Sequence, residues 1–415
     1  MSNQPEATAD AITLTADDVD VRHVGVADVY KAGRFAATIT RIAQGNVFDY
    51  NSDYLQNPGP PVATTLPLTS TPVRTPAGAV PSYFAGLLPE GRRLTALRTA
   101  IKTSLDDDLS LLLAVGADPV GDIQIVPAGI RPHVPQPSIT WQPSTDITFN
   151  EILDDAGILN RRSIAGVQDK ASAAMITLPA RWSGHDAIVK FSPLEYPHLV
   201  ENEAWFLELA RSSGLTTPRH HIITDRAGVN ALVLERFDRV GTYEHPERFA
   251  VEDATQVLDA YPADKYRFTA EQVTRALMEP CQARVVAARE VFRMFVFAWL
   301  TGNGDLHAKN ISIMNRAGEW RIAPVYDVPS TLPYGDDSMA LSIAGRTRDL
   351  SRRAFLDFAG EIGLPAPAAY SVIDSMITAT EPAISLFEDQ LEPFTRPRNA
   401  DVLAALRYRR RLMAD

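Results

Sequence analysis

The sequence predicts an α+β protein with two lobes and a cleft between them. Strand-like patterns dominate residues 163–240, and helical periodicity dominates residues from about 250 to 411. Where these parts meet, the stretch TGNGDLHAKNISIM at 301–314 gathers polar side chains between strongly apolar neighbours. A strand-rich part followed by a helix-rich part predicts segregated α+β packing. The polar residues at the junction indicate the cleft of an enzyme.

The chain has 415 residues, which is enough for two or three packed lobes. Hydrophobic residues make up 45% of it and charged residues 22%, as is typical of folded globular proteins. The net charge of -11 argues against a surface built entirely to bind nucleic acid, although a local basic patch stays possible. The predicted segments are a flexible tail at 1–20, a small α+β subdomain at 21–130, a strand-rich lobe at 131–240 and a mainly helical lobe at 241–415.

Several classes of protein are disfavoured by the composition. Cys281 is the only cysteine, so no internal disulfide can form, and no Cys/His spacing suits zinc. The first 20 residues are acidic and polar, unlike a secretory signal, and no apolar run is long enough for a membrane helix. These features predict a cytoplasmic protein.

The first 143 residues predict a mixture of strands, loops and helices. Proline and glycine mark the boundaries between these elements, since both interrupt regular structure. The predicted elements are, in order, short strands over 21–50, a proline-rich loop at 57–81, helices near 83–102 and 106–115, a strand at 123–129 and an extended, proline-spaced linker at 131–143.

The strand-rich lobe offers a lysine for phosphate binding. Strands are predicted over 170–178, 186–193 and 230–238, with a helix from Glu201 to Ser212. Lys190 lies in the second strand, where alternation points it inward, and Glu203 on the helix is a possible ion-pair partner. The alternative is that Lys190 is an ordinary surface lysine.

The polar junction follows a predicted core helix. Its apolar face ends before Gly302 and Gly304, two glycines that predict the helix terminus and place Asp305 at the start of an anchored loop. Two short strands joined by a turn then predict that Asp327 returns beside Asn310. The apolar face comprises Val291, Phe292, Phe295, Val296, Trp299 and Leu300.

The residues that converge in this prediction suit phosphoryl transfer. Carboxylate and amide oxygens of Asp305, Asn310 and Asp327 are hard ligands suited to Mg²⁺ held jointly with phosphate oxygens. In protein kinases the catalytic-loop aspartate precedes the metal-binding asparagine by five positions, the spacing from Asp305 to Asn310. The alternative is that all three are turn or cap residues.

Two further segments complete a nucleotide site on this hypothesis. Glu235 and Phe237 end the last strand and can offer backbone groups and an apolar wall to adenine, or else be ordinary core residues. The segment RRSIAGVQDKAS at 161–172 lacks the glycine patterns of common protein kinases and P-loops. Its small and polar residues can nevertheless cover phosphates through backbone N–H groups.

Six stretches of the sequence, taken in chain order, resemble the HipA-type kinases, which are the serine/threonine kinase toxins of bacterial toxin–antitoxin pairs. These stretches are RRSIAGVQDKA, IVKF, NEAWFLELARSSGL, LERFDR, NGDLHAKNISI and APVYDV. The stretches SYFAGLLPEGRRLTALR and VGADPVGDIQIVP resemble the N-terminal subdomain of that family. The resemblance extends over roughly residues 25–390. It implies a protein-kinase-like two-lobed fold with ATP and Mg²⁺ as its ligands.

The resemblance also implies a role for each matching residue. Asp305 becomes the catalytic base, Asn310 and Asp327 the magnesium ligands, and Lys190 the contact to ATP phosphates. The implied adenine hinge is Glu235, Arg236 and Phe237. The implied phosphate loop is Ala165, Gly166, Val167, Gln168, Asp169 and Lys170, and the other residues implied to line the nucleotide site are His307, Lys309 and Tyr326.

Regulation and partners follow from the same resemblance. Ser163 matches the serine whose autophosphorylation inactivates such kinases, and a phosphate there would add negative charge beside the phosphate loop. The implied partner is a HipB-like antitoxin with a helix-turn-helix fold, and operator DNA is contacted through that complex. The implied substrate is a translation component such as an aminoacyl-tRNA synthetase, with the glutamyl enzyme favoured and growth arrest as the result.

Some alternatives stay open. A pseudokinase that acts as a co-repressor or a small-molecule kinase would share much of this pattern. The C-terminal run RYRRR at 407–411 is interpreted as a solvated helix end rather than a contact to operator phosphates. The acidic tail and the loop at 57–81 have no role implied by the resemblance.

Overall fold

The structure is a computed structural model that describes residues 19–104, 106–133, 139–141, 148–155, 175–242, 245–388 and 396–414. Sheets and helices occur in both halves of this part of the chain, and the α+β class predicted from the sequence is confirmed. No helix within these ranges is long and apolar enough to cross a membrane.

The first sheet has five antiparallel strands in the order β4-β3-β2-β1-β5. Its strands are β1 (Val26–Lys31), β2 (Arg34–Ile42), β3 (Gly45–Tyr50), β4 (Val73–Pro76) and β5 (Ile123–Pro127). The helices in this part are α1 (Ser52–Gln56), α2 (Ser82–Gly86), α3 (Gly91–Ile101) and α4 (Asp108–Val115). Alternate residues of β1 are buried, as expected when one face of a sheet covers a core. Ala32 and Gly33, both at positive φ, form the tight turn between β1 and β2.

The single helix predicted near 83–102 is wrong, because the structure divides it into α2 and α3. Pro89 lies in the gap, and a proline both lacks the backbone donor of a helix and disfavours the helical conformation of the residue before it. The interrupting residues, Leu87 to Glu90, line the cleft described below. The break therefore turns a predicted helix surface into part of the site.

The second sheet has the order β6-β7-β8-β10-β9. Its strands are β6 (Ile139–Trp141), β7 (Ile176–Trp182), β8 (His185–Phe191), β9 (His220–Thr224) and β10 (Asn230–Glu235), accompanied by α5 (Phe149–Asp155) and α6 (Leu199–Ser212). Ala187, Val189 and Phe191 of β8 pack into a core on one face of this sheet. The period of two then points Lys190 to the other face, as predicted.

Three features of this region were not predicted. Residues 139–141 belong to the predicted linker but form an edge strand parallel to β7. The strand β9 and the hairpin of β11 (Arg239–Thr242) with β12 (His245–Arg248) had no strong alternation in the sequence. Short edge strands bury little apolar surface, so their periodic signal is weak.

The C-terminal part is mainly helical. Its small sheet pairs β13 (Val251–Asp253), β14 (Ser312–Arg316) and β15 (Glu319–Ile322). Its helices are α7 (Ala254–Val257), α8 (Ala270–Met278), α9 (Arg284–Thr301), α10 (Arg352–Glu361), α11 (Ala366–Ala379), α12 (Pro382–Glu388) and α13 (Arg396–Ala414). The β14–β15 hairpin confirms the strand pair predicted after Asn310.

Helix α9 forms the centre of this part and is buried along most of its length. Phe292 and Phe295 of α9 both pack against Phe358 of α10, with ring centroids 5.4 and 5.6 Å apart. Gly302 ends α9 at a φ of 75°, the left-handed cap predicted from the sequence. Cys281 is buried nearby, and burial raises the pKa of its thiol to about 11, as suits an inert core residue.

The interpretation of the C-terminal basic run as a solvated helix end is wrong for two of its arginines. Arg409 is only 3% exposed, and its guanidinium lies 4.2 Å from the ring centroid of Trp299. The same guanidinium donates a hydrogen bond of 3.0 Å to the Trp299 carbonyl. Arg410 donates to Thr380 at 3.0 Å. These two side chains hold α13 against the helical core.

Candidate active site

A cleft of about 420 Å³ lies where the N-terminal part, the second sheet and the helical part meet. The segment after α2, the face of the second sheet that carries Lys190, and the loop after α9 all contribute to its walls. Every site residue predicted from the sequence that the structure describes lines this cleft. They are Lys190, Glu235, Arg236, Phe237, Asp305, His307, Lys309, Asn310, Tyr326 and Asp327.

Lys190 is held between two carboxylates. Its Nζ donates to Glu203 Oε1 at 2.7 Å and Oε2 at 2.9 Å, and it also contacts Asp327 Oδ1. Burial disfavours the charged amine, but Asp327 and Glu203 outweigh this effect and raise the pKa of Lys190. We call these three residues the catalytic network. The predicted pairing of Lys190 with Glu203 is confirmed.

Asp305 begins a loop that local sequence makes rigid. Its backbone N–H donates to Asn303 Oδ1 at 3.0 Å, and its carbonyl accepts from Asn310 Nδ2 at 3.0 Å. A Cβ on the preceding Gly304 would lie 2.5 Å from the Ser338 carbonyl, so only glycine fits there. Asp305 itself is buried, with 1% of its surface exposed.

Asp327 reaches the cleft in a strained backbone conformation. Its φ is 52°, in the left-handed region that few residues other than glycine adopt. Asn303 Nδ2 donates to its carbonyl at 3.3 Å and so ties Asp327 to the loop of Asp305. Such strain is often found at functional sites. The sequence analysis missed Asn303, although its place between two glycines marks a loop with special geometry.

Two side chains offer oxygen ligands for a metal ion. Asn310 uses its Nδ2 to hold the loop, which directs its Oδ1 away from that bond, and the Asp327 side chain is 33% exposed. Amide and carboxylate oxygens suit Mg²⁺, which takes few protein ligands when phosphates supply others. No group of three or more His, Cys, Asp or Glu residues able to hold a metal is found in the described ranges. The donors present therefore fit a metal that is shared with a phosphate ligand.

The segment after β10 has the properties of a base-binding wall. The backbone N–H groups of Glu235 and Arg236 donate to the carbonyls of Arg219 and Asp186, both at 2.9 Å. Within the described ranges, the N–H of Phe237 donates to no backbone carbonyl. The Phe237 ring stacks near Tyr326, with centroids 5.9 Å apart at 24°.

The side chain of Arg236 belongs to an ion network on the hinge side of the cleft. It donates to Asp238 Oδ2 at 2.8 Å and to Asp118 Oδ2 at 3.0 Å. Arg239 contacts the same two aspartates at 3.1 and 2.6 Å. We call Asp118, Arg236, Asp238 and Arg239 the hinge network. It joins the N-terminal part to the strand-rich part beside the cleft.

Lys309 and Tyr326 line the cleft but are also bonded to other elements. Lys309 Nζ donates to the Gly86 carbonyl at 2.9 Å and to Asp253 Oδ2 at 3.1 Å. Tyr326 donates to the Lys309 carbonyl at 2.8 Å, and burial raises its pKa. The Lys309 ammonium thus holds the segment that follows α2 against the site. Asp253 was not predicted as a site residue: its local partner is Gln256 in the cap of α7, and its contact with Lys309 joins residues far apart in the chain.

The predicted phosphate loop, Ala165 to Lys170, and Ser163 lie outside the described residues.

Comparison with known proteins gives consistent matches. The HipA N-terminal domain family matches residues 27–126, and the HipA-like C-terminal domain family matches residues 162–384. The protein Y4dM of Sinorhizobium fredii, which carries a provisional kinase name, is 31% identical over 365 residues, covering 79% of this chain and 83% of that protein. The serine/threonine-protein kinase toxin HipA of Shewanella oneidensis is 27% identical over 322 residues, covering 71% and 72%.

The fold also matches a solved structure. The HipA chain in the complex of Shewanella oneidensis HipA, HipB and operator DNA superposes with a TM-score of 0.71 and 22% identity. The match covers 93% of this chain and 96% of that chain. Two family domains in the same order, a relative above 30% identity and a fold shared over nearly the full length agree. The chain belongs to the HipA family of serine/threonine-protein kinases.

Proposed function

We propose that this kinase transfers the γ-phosphoryl group of Mg-ATP to a serine or threonine hydroxyl of a protein. The observation that carries the proposal is the convergence of Lys190, Asp305, Asn310 and Asp327 on one cleft. Lys190 is charged and fixed between Glu203 and Asp327, as a phosphate-contacting lysine needs to be. Phe237 and Tyr326 supply an apolar wall for adenine in the same cleft.

The residues then have distinct tasks. Asp305 accepts the proton of the acceptor hydroxyl, whose oxygen forms a bond to the γ-phosphorus while the bond to the β–γ bridging oxygen breaks and ADP leaves. Lys190 offsets negative charge on the phosphates. Asn310 and Asp327 would hold magnesium, which when bound neutralises phosphate charge.

Regulation and partners extend this proposal. Ser163 is the proposed site of inactivating autophosphorylation, and Ala165 to Lys170 the proposed phosphate loop, on the motif that they share with the family. Because the Shewanella relative is named as a toxin and its structure includes HipB and operator DNA, we propose a HipB-like antitoxin as partner. The proposed substrate is a cytoplasmic translation component, with an aminoacyl-tRNA synthetase favoured and growth arrest as the consequence.

Phosphate incorporation tests the catalytic part of the proposal. Purified protein incubated with Mg-ATP is expected to acquire one phosphate on Ser163, and Asp305→Asn is expected to acquire none. Mass spectrometry of the intact protein and of its peptides measures both. Tight ATP binding by the wild type without any phosphate or ADP formation would contradict the proposal and favour a pseudokinase.

Expression without an antitoxin tests the toxin part. The wild type is expected to arrest growth and Asp327→Ala is expected not to, at equal protein levels checked by immunoblot. Equal growth of the two strains would contradict the toxin proposal and leave the kinase chemistry standing. A phosphoproteome comparison of the same strains identifies the protein substrate.

A further inference from the structure

Tyr266 contacts the proposed catalytic base, although the proposed phosphoryl transfer gives it no task. Its hydroxyl donates to Asp305 Oδ1 at 3.0 Å. The ring edge packs on His307, with centroids 5.0 Å apart at 80°. Tyr266 is 39% exposed and lies beside Lys265, Asp305 and His307, three residues that line the cleft.

The backbone around Tyr266 is held from two sides. The Ala308 N–H, in the loop of Asp305, donates to the Lys265 carbonyl at 3.2 Å. Lys265 Nζ donates to Glu90 Oε2 at 2.7 Å, a residue of the segment between α2 and α3. The loop of Asp305 and the N-terminal part therefore together fix the residue that precedes Tyr266.

The hydroxyl of Tyr266 is a permanent donor. Burial and the charge of Asp305 both raise the pKa of Tyr266, so the phenol keeps its proton at any physiological pH. A hydrogen bond whose acceptor is ionised is stronger than one between two neutral groups. It can therefore fix the rotation of the Asp305 carboxylate.

We propose that Tyr266 is a positioning residue that holds Asp305 Oδ1, so that Oδ2 is the oxygen that accepts the proton of the acceptor hydroxyl. This inference rests on the proposed kinase function. The hydroxyl of Tyr266 takes no part in bond making; the proton passes from the acceptor to Oδ2. A carboxylate free to rotate would spend less time in the reactive orientation, and misplaced groups of this kind lower rates strongly.

A competing view is that the Tyr266 hydroxyl merely occupies the acceptor position and is displaced by substrate. The anchoring of Lys265 on both sides and the packing on His307 favour positioning, because a displaceable group would be held less firmly. The two views predict opposite effects of removing the hydroxyl.

Tyr266→Phe removes the hydroxyl and keeps the ring. The matched control is Tyr408→Phe, because Tyr408 also donates to an aspartate, Asp349 Oδ1 at 2.9 Å, is 42% exposed and lies on α13, a helix whose residues do not line the cleft. The full-length proteins are compared by initial rates of ADP formation over a range of Mg-ATP concentrations. Circular dichroism and thermal unfolding confirm that both variants are folded.

The expected result is a maximal rate about tenfold lower for Tyr266→Phe, with an unchanged half-saturating ATP concentration, while Tyr408→Phe stays within about twofold of the wild type. A rate for Tyr266→Phe equal to or above that of the wild type overturns the inference, and an increase supports occupation of the acceptor position. A wild type that forms no ADP removes the proposed function, and the inference with it.

Discussion

The catalytic network and the hinge network both contribute residues to the same cleft, and both join distant elements through buried charges. In the hinge network two arginines face two aspartates, and the Gly121 N–H adds a hydrogen bond of 2.9 Å to Asp238. In the catalytic network one lysine faces two carboxylates. The hinge network is therefore balanced within the protein, whereas the catalytic network keeps an excess negative charge.

Only one of the two carboxylates in the catalytic network is open to solvent. Glu203 is fully buried, but the Asp327 side chain is 33% exposed and its backbone has a positive φ. Asp238, by contrast, is only 3% exposed. Removing one partner from a balanced and buried network is costly, because it leaves an uncompensated charge, whereas an unbalanced network that opens to a cleft is able to bind a cation. The difference separates a structural cluster from a functional one of similar composition.

The largest expected effect comes from removing the unbalanced charge. Asp327→Ala should lower phosphoryl transfer by more than about 1000-fold, because it removes a metal ligand and a partner of Lys190. Thermal unfolding should change little, since Lys190 keeps its two bonds to Glu203. Initial rates of ADP formation measure the effect. A variant that keeps one tenth of the wild-type rate would show that Asp327 is not the functional carboxylate.

Removing a charge from the hinge network should lower the unfolding free energy and leave the rate of ADP formation nearly unchanged. Arg239→Met leaves Asp238 with one arginine fewer in a buried site, and breaking such a pair costs about 3 kcal/mol of unfolding free energy. Urea denaturation measures the loss. The rate per folded molecule should stay close to that of the wild type, since Arg239 does not line the cleft. Unchanged stability would mean that the hinge network contributes nothing to the fold.

A smaller effect is expected from pH. Burial would raise the pKa of Asp238, but Arg236 and Arg239 outweigh it and hold the pKa well below its usual value. The unfolded chain then takes up this proton more readily than the folded chain, so the stabilisation is complete above about pH 4 and is lost at lower pH. The melting temperature should fall between about pH 5 and pH 3 less steeply in Asp238→Asn than in the wild type. Parallel curves would contradict this.

The smallest effect is expected at an exposed pair. Arg353 and Asp357 lie one turn apart on α10, at 2.9 Å, with side chains 83% and 48% exposed. Exposed pairs of this kind contribute little and are screened by salt. Arg353→Ala should leave both the melting temperature and the rate of ADP formation unchanged within error. A shift of several degrees would show that ion pairing in this protein does not follow burial.

Much of the site was predictable because its residues follow local signals. Gly302 and Gly304 mark the end of α9, and the hairpin of β14 and β15 returns the chain to Asp327. The alternation in β8 orients Lys190 correctly. These predictions depend on helical and strand periods and on glycine geometry, all of which can be recognised in short stretches of sequence.

The rest depends on contacts between residues far apart in the chain. The bond of Lys309 to Gly86 and the contact of Tyr266 with Asp305 need tertiary packing, for which one sequence gives no spacing rule. Arg409 lies in a run of charged residues, a pattern typical of a protein surface. Its long apolar stem and flat guanidinium nevertheless suit a site over the Trp299 ring. The break between α2 and α3 had a local signal in Pro89, which the helical periodicity around it obscured.

A crystal structure of the wild type with magnesium and a non-hydrolysable ATP analogue tests the central claim most directly. The account predicts a metal ion about 2.1 Å from oxygens of both Asn310 and Asp327, with Lys190 on the phosphates and Asp305 facing the γ-phosphate. A nucleotide bound outside this cleft, or a metal ion held without Asp327, would contradict it.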